Sequence, residues 1–145
     1  MIVEPQRVMS YVVGTLQADT GAGGVATLCG GRVYRDRVPA AATLPAVTVT
    51  LVSGTDSLTL GGVRVLDVAV LDVRVVGDGS SYGPINPIAD RVDAVLNERH
   101  ASANGVDVVK LRRDQVQAFL ESDPGGPTYA HVIQTYRSES YALPA

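Results

Sequence analysis

The chain has 145 residues, of which 46% are hydrophobic and 5% aromatic, and its formal net charge at pH 7 is −3. This length suits one domain with one core, and the small negative charge gives no general electrostatic case for binding nucleic acid or an anionic membrane. The single cysteine, Cys29, excludes an intramolecular disulfide. No apolar run approaches the roughly 20 residues that cross a bilayer, and the N-terminus lacks a signal-peptide pattern. We therefore expect a soluble protein that is used without secretion.

The first half of the chain predicts one helix and two strands. Apolar residues at three- and four-residue spacing indicate a helix over about residues 5–19. Alternation indicates a strand from Ala46 to Ser53 and a longer one from Val63 to Val76. The middle of the longer strand has apolar residues on both faces and should be covered on both sides. The polar, glycine-flanked stretch Ser53–Gly62 is predicted to be a long, mobile hairpin loop.

A second helix has the clearest pattern in the chain. Asn86 is suited to the N-cap position and Pro87 to the first helical position. An apolar stripe that includes Ile88 and Val92 then indicates a helix from Pro87 to about His100. His100, near its C-terminus, is placed to interact with the helix dipole when protonated.

The last third of the chain predicts two more strands. Val106–Arg112 indicates one strand, Val116–Leu120 fits either a strand or a short helix, and Thr128–Ser138 indicates the last strand. Residues 138–145 are expected to be an exposed tail. Because neighbouring strands joined by short turns pair antiparallel, we predict a single α+β domain over residues 1–145. Its antiparallel sheet would have four or more strands, with two helices packed on one face.

No motif indicates catalysis, a cofactor or a metal site. The glycine-rich stretches lack the GK[ST] of a P-loop, and no HExxH or CxxC spacing occurs. Cys29 has no base partner that the sequence nominates, and His131 is expected to be packed in a strand or to face another subunit. We therefore predict no catalytic, cofactor-binding or metal-binding residue.

Two charged groups are candidates for contacts with other molecules. The triplet Arg35-Asp36-Arg37 alternates in sign, which favours an ion pair across a subunit interface over an anion site. We expect its loop to be an assembly surface rather than a binding pocket. The basic group Lys110–Arg113 is compatible with a phosphate contact, a partner protein or an ordinary solvated strand end.

The segment Gly31-Arg32-Val33-Tyr34, followed by Pro39 and by Pro45 at the start of a strand, resembles a pattern in one family. This family comprises the tail terminator, or tail-completion, proteins of long-tailed bacteriophages and related prophages. The helix Ile88–Leu96 is similar to the mid-chain helix of that family, and two closing strands follow it. The resemblance spans nearly the whole chain.

The resemblance implies a structural virion protein that is not an enzyme and needs no cofactor. Such proteins form a ring, usually six-fold, that caps the tail tube and meets the head-completion or connector proteins. DNA passes through the ring without specific binding, no membrane is involved, and assembly takes place in the host bacterial cytoplasm. The loops 53–62 and 77–83 are candidates for reaching the tube or the head side. The assembly-interface residues that we predict are Arg35, Asp36, Arg37, Asp56 and Arg113.

Two other functions stay open at this point. One is a different neck component of the same virion, such as a head–tail connector or a stopper. The other is a small α+β enzyme or ligand-binding module, which a deep pocket with His100 or His131 beside a carboxylate would favour.

Overall fold

The computed structural model describes residues 4–58, 64–103, 106–122 and 124–142. Within these residues, a six-stranded mixed sheet curls into a half-barrel and is accompanied by three helices. In chain order the elements are α1 (Glu4–Gln17), α2 (Val25–Leu28), β1 (Val33–Arg35), β2 (Ala46–Leu58), β3 (Arg64–Asp78), α3 (Asn86–Leu96), β4 (Arg99–Ala103), β5 (Val106–Ser122) and β6 (Thr128–Ala142).

The strands lie in the order β1-β2-β3-β6-β5-β4. All neighbours pair antiparallel except β1 and β2, which run parallel, with Val33 opposite Val47 and Arg35 opposite Val49. The prediction of a purely antiparallel sheet is therefore wrong for this edge. Residues 36–45 carry the chain back along the sheet, so that both strands start at the same end. The Val47 N–H, which donates to the Arg32 carbonyl at 2.9 Å, fixes this return.

The core lies between the helices and one face of the sheet, here called the helix face. α1 packs against β1, β2, β3, β5 and β6, and α3 packs against β5 and β6. Period-two alternation places every second strand residue on this face, and helical spacing supplies the opposing stripe. Its fully buried side chains include Val8, Leu16, Val47, Val49, Leu71, Val73, Val75, Val92 and Leu96.

The β2–β3 hairpin is longer than the sequence predicts. Ser53–Leu58, expected to be a mobile loop, continues β2 and pairs with β3 from Val70 back to Arg64. Residues 59–63 lie outside the described residues. Serine, glycine and aspartate have low strand propensity, so pairing with the valine-rich β3 holds this stretch in the ladder. Val68 and Val70 of β3 are only half-buried on the face opposite the helices, here called the open face.

Helix α3 ends at Leu96, four residues earlier than predicted. Asn97 is extended and Glu98 has a φ of 61°, so the chain reverses direction. The Glu98 N–H donates to the Leu111 carbonyl at 2.7 Å. His100 therefore lies in β4 and not at a helix C-terminus. The predicted cap at Asn86 is also wrong, because the helix includes Asn86 and no side chain caps its start.

The last two strands are both longer than predicted. Val116–Leu120, which fitted either a strand or a helix, belongs to β5. β6 continues to Ala142, and Ser138 and Ser140 are fully buried. The prediction of an exposed tail is therefore wrong at these positions, where small side chains pair with Ala69 and Asp67 of β3. Residues 143–145 lie outside the described residues.

Candidate assembly surface

One edge of the sheet is open along β5. β4 pairs with β5 only from Val106 to Leu111, and the Arg113 N–H donates to the Asn97 side chain at 2.9 Å. From residue 114 to residue 122, β5 has β6 on one side and no other strand among the described residues on the other. Every side chain on this segment is exposed. An open strand edge presents unpaired backbone N–H and C=O groups to any chain that can pair with it.

The open segment of β5 also carries exposed apolar side chains. Val116 and Leu120 are 47% exposed on the helix face, and Phe119 is 38% exposed on the open face. Five large hydrophobic side chains are exposed among those whose exposure the structure describes, and these are three of them. The concentration of apolar side chains at an unpaired edge is typical of a surface that another protein covers.

The opposite edge of the sheet is open along β2. β1 covers only Val47–Val49. The Asp36 N–H donates to the Val49 carbonyl at 2.9 Å. Beyond this point, residues 50–58 have β3 on one side and no other strand among the described residues on the other. Val52, 55% exposed, sits at a bulge on this edge and is the fourth of the five exposed hydrophobic side chains.

The charged triplet lies at the end of β1, beside the open edge of β2. Arg35 donates to the Ser10 hydroxyl of α1 at 2.9 Å, and all three side chains are exposed. Asp36 has a φ of 65°, a conformation that non-glycine residues seldom adopt. The Arg37 N–H donates to the Arg35 carbonyl at 2.7 Å, which closes the turn. The triplet is therefore a fixed, solvent-facing charge cluster.

The other two predicted interface residues lie elsewhere. Asp56 is in β2, opposite Asp67 of β3. Arg113 is in β5 and is engaged within the subunit, because its guanidinium lies 3.4 Å from Asp93. The buried Tyr136 donates to the same carboxylate at 3.0 Å. The five predicted residues thus form no single cluster, and their role in assembly stays a prediction.

The loop after the charged triplet lines a cavity of about 410 Å³ on the open face. The expectation that this loop is an assembly surface rather than a binding pocket stays a prediction. Its lining includes Arg37, Arg74, Glu121 and His131. His131 is 5% exposed and stacks on Phe119, with ring centroids 4.7 Å apart.

The His131 imidazole is a packed side chain. Its Nε2 lies 3.3 Å from a carboxylate oxygen of Glu121. Burial, with a smaller contribution from the Arg74 charge, lowers the pKa of His131 more than Glu121 raises it. Cys29 is fully buried, and burial raises the pKa of its thiol. Among the described residues, no group of three His, Cys, Asp or Glu side chains is arranged to hold a metal ion.

Asp19, which follows α1, connects this helix to α2 and α3 through hydrogen bonds. Its carboxylate accepts two hydrogen bonds from the Arg91 guanidinium of α3, at 2.8 and 2.9 Å. It also accepts the Val25 N–H at the start of α2, at 2.9 Å. Arg91 lowers the pKa of Asp19, and burial opposes this only in part. The carboxylate is 13% exposed and the arginine side chain 43% exposed.

Replacing Asp19 with asparagine should destabilise the fold by about 1–2 kcal/mol, near the lower end for charged hydrogen bonds because Arg91 is partly solvated. Since the folded-state pKa is lowered, the contribution is complete above the unfolded pKa of about 3.9 and disappears as pH falls through the lower folded value. Urea unfolding at pH 7 and below pH 4 measures this. An equal difference between wild type and variant at both pH values would contradict the role of the ionised carboxylate.

Comparison with known proteins identifies the class of this chain as a structural protein of phage tails. The family model described as "Tail completion protein gp17" matches residues 12–138, and the chain belongs to that family. A solved chain from "Virion of native gene transfer agent (GTA) particle" matches with a TM-score of 0.70 and 19% identity, over 92% of this chain and 93% of that one. At this identity the match shows a shared fold. No curated protein matches. The predicted tail-completion family is thus confirmed.

No helix in the described part of the chain is long and apolar enough to cross a membrane. The sequence analysis does not predict the open edge of β5, because a strand edge is open only where the neighbouring strand is shorter. One signal was present: Val116, Phe119 and Leu120 break the period-two alternation of a strand with one solvated face.

Proposed function

We propose that this protein forms a ring, usually six-fold in the proteins it resembles, that caps the phage tail tube and joins it to the head-completion or connector proteins. DNA passes through the lumen without specific binding. The open, partly apolar edge of β5 carries the proposal, because such an edge in a structural protein calls for a partner chain. The family membership supports a location in the virion tail. We also propose that assembly takes place in the host cytoplasm.

Mass measurement and negative-stain microscopy of the purified protein, with and without tail-tube protein, test the ring. We expect closed rings or ring-capped tubes. Protein that stays monomeric and gives no complex with tube protein would overturn the proposal. Deletion in the phage tests the capping step, for which we expect overlong tails.

A different neck component is the second candidate. Deletion of a stopper should give heads that lose DNA and tails of normal length, so the particle phenotype separates the two functions. The family membership is compatible with either position in the neck.

The cavity beside His131 is the observation that favours a ligand-binding module. It places a carboxylate, that of Glu121, next to a buried imidazole. The Glu121 side chain is 55% exposed and the imidazole pKa is lowered. A solvated carboxylate beside a buried ring whose pKa is lowered is a weak acid–base pair, so we assign no reaction to it.

Charge reversal in the triplet should impair assembly and leave the fold intact. Arg35→Glu loses one exposed hydrogen bond to Ser10, and Arg37→Glu loses no described ion pair. We therefore expect a stability change below about 1 kcal/mol for each, together with weaker ring formation in sedimentation experiments. Asp90→Lys, an exposed charge reversal on α3, is the control and should assemble normally. Normal assembly of both arginine variants would show that the loop is only a connector.

A further inference from the structure

We propose that neighbouring copies join edge to edge, with β5 residues 114–122 of one copy pairing antiparallel with β2 residues 50–58 of the next. This inference rests on the proposed ring and specifies its joint. Each copy then uses its two open edges once, as a head-to-tail ring requires. The backbone groups left unpaired on both edges are satisfied by main-chain hydrogen bonds across the joint.

The two edges are complementary in shape, because a short strand covers one end of each and leaves the other end open. On β5, the short β4 covers the N-terminal part and leaves residues 114–122 open. On β2, the short β1 covers the N-terminal part and leaves residues 50–58 open. The two open segments have the same length. In the antiparallel joint, β1 of one copy lies beyond the end of the neighbouring β5, and β4 of that neighbour lies beyond the end of β2. Neither short strand obstructs the pairing.

The exposed apolar side chains mark the same two segments. Val116, Phe119 and Leu120 lie on the β5 segment and Val52 lies on the β2 segment. Among the side chains whose exposure the structure describes, Leu28 on α2 is the one large exposed hydrophobic side chain away from these edges. Both segments also lie next to a bulge, at Leu51/Ser53 on β2 and at Arg113/Gln115 on β5. A second copy of this chain therefore fits both edges.

Two independent arguments give the antiparallel direction. Within one copy, β5 runs antiparallel to β2. When the copies are related by rotation about an axis parallel to the strands, β5 of one copy therefore also runs antiparallel to β2 of the next. The charges agree with it. Antiparallel pairing brings Glu121 toward the arginines of the Arg35–Arg37 triplet and Arg113 toward position 56, an aspartate. Parallel pairing would bring like charges together at both ends, which is unfavourable.

Disulfide trapping across the joint tests this geometry. Ser53 and Thr55 pair with Val70 and Val68 and share the open face with Gln115 and Gln117. Double variants that combine Ser53→Cys or Thr55→Cys with Gln115→Cys or Gln117→Cys make four pairs. Thr55 and Gln117 are directly opposed when the two nine-residue segments overlap fully, and the other pairs test overlaps shifted by one or two ladder steps. Directly opposed strand residues lie within disulfide range. On oxidation with tail-tube protein present, at least one pair should give a ladder of linked copies that ends at the ring number.

The controls separate the joint from the ring itself. Ala118 is exposed on the opposite face, so Ser53→Cys with Ala118→Cys should give no ladder. Single variants should give no linked species, and native Cys29 is buried. Dimers formed by Gln117→Cys alone would show that β5 meets β5 and would overturn the proposal. Rings seen by microscopy without any ladder would overturn this joint and leave the ring function standing. Absence of rings for wild type would overturn both.

Discussion

Replacing Leu120 with lysine should leave the monomer folded and weaken its assembly. Leu120 is 47% exposed on the open segment of β5, so the monomer loses little buried apolar surface. In the proposed joint, the variant forfeits the burial of the half of the leucine side chain that the monomer leaves exposed, which is about 0.7–1.5 kcal/mol or roughly 3- to 12-fold in the association constant of each joint. Natural proteins place lysine on strand edges for the same reason, because a charge there discourages pairing. Sedimentation velocity measures assembly, and thermal unfolding checks the monomer.

Leu28→Lys is the matched control for this prediction. Leu28 is 39% exposed on α2, away from both open edges. The two variants change the same residue type at similar exposure, so a general effect of lost hydrophobic surface should appear in both. We expect Leu28→Lys to assemble like wild type. Ring formation by Leu120→Lys at wild-type concentration would exclude β5 from the joint, and failure of both variants would remove the evidence for a specific edge.

The two longer helices, α1 and α3, and the long strands were predictable because the spacing of their apolar residues shows which face is buried. Val8, Val12 and Leu16 repeat at helical intervals, and all three are buried beneath the sheet. On β3, Leu71 and Val73 alternate with half-exposed polar residues as period two requires. Such patterns need only the identity of each residue and of its near neighbours.

The strand pairings that were missed depend on distant partners. β1 has three residues, and its parallel pairing exists because residues 36–45 return the chain to the start of β2. β4 follows a left-handed residue, Glu98, whose N–H is fixed by the Leu111 carbonyl. Ser53–Leu58 lacks strand propensity and is held by β3. Sequence distance hides each of these contacts.

The candidate assembly surface was predictable only where a local sequence pattern marks it. Charge alternation drew attention to Arg35–Arg37, which the structure places in a fixed turn at one edge. The open segment of β5 could not be recognised before the sheet was known, because it is open only beyond Leu111, the partner of Arg99 at the start of β4. A strand edge is a property of the topology and not of the strand itself.

Replacing Gly24 with alanine should destabilise the protein more than alanine at any other described glycine whose added Cβ would touch main-chain atoms. A Cβ at this position would lie 2.3 Å from the Asp19 carbonyl oxygen and 2.8 Å from its carbon. The φ of −71° is itself compatible with alanine, so the cost comes from the clash with main-chain atoms, which no side-chain rotation relieves. Moving Asp19 also disturbs its bonds to Arg91 and Val25. Overpacking and the loss of these bonds together predict about 2–4 kcal/mol.

Gly14→Ala adds the same methyl group, but we expect it to raise the free energy of unfolding instead of lowering it. Gly14 lies inside α1, and nothing stands within 4 Å of an added Cβ. Alanine is favoured over glycine in a helix interior by about 0.5–1 kcal/mol. Urea unfolding of the two variants under one set of conditions should therefore place them on opposite sides of wild type. A Gly24→Ala variant as stable as wild type would show that the turn between α1 and α2 yields easily. In that case Asp19 would not be a fixed junction of the three helices, and the stability of the subunit would depend on the sheet alone.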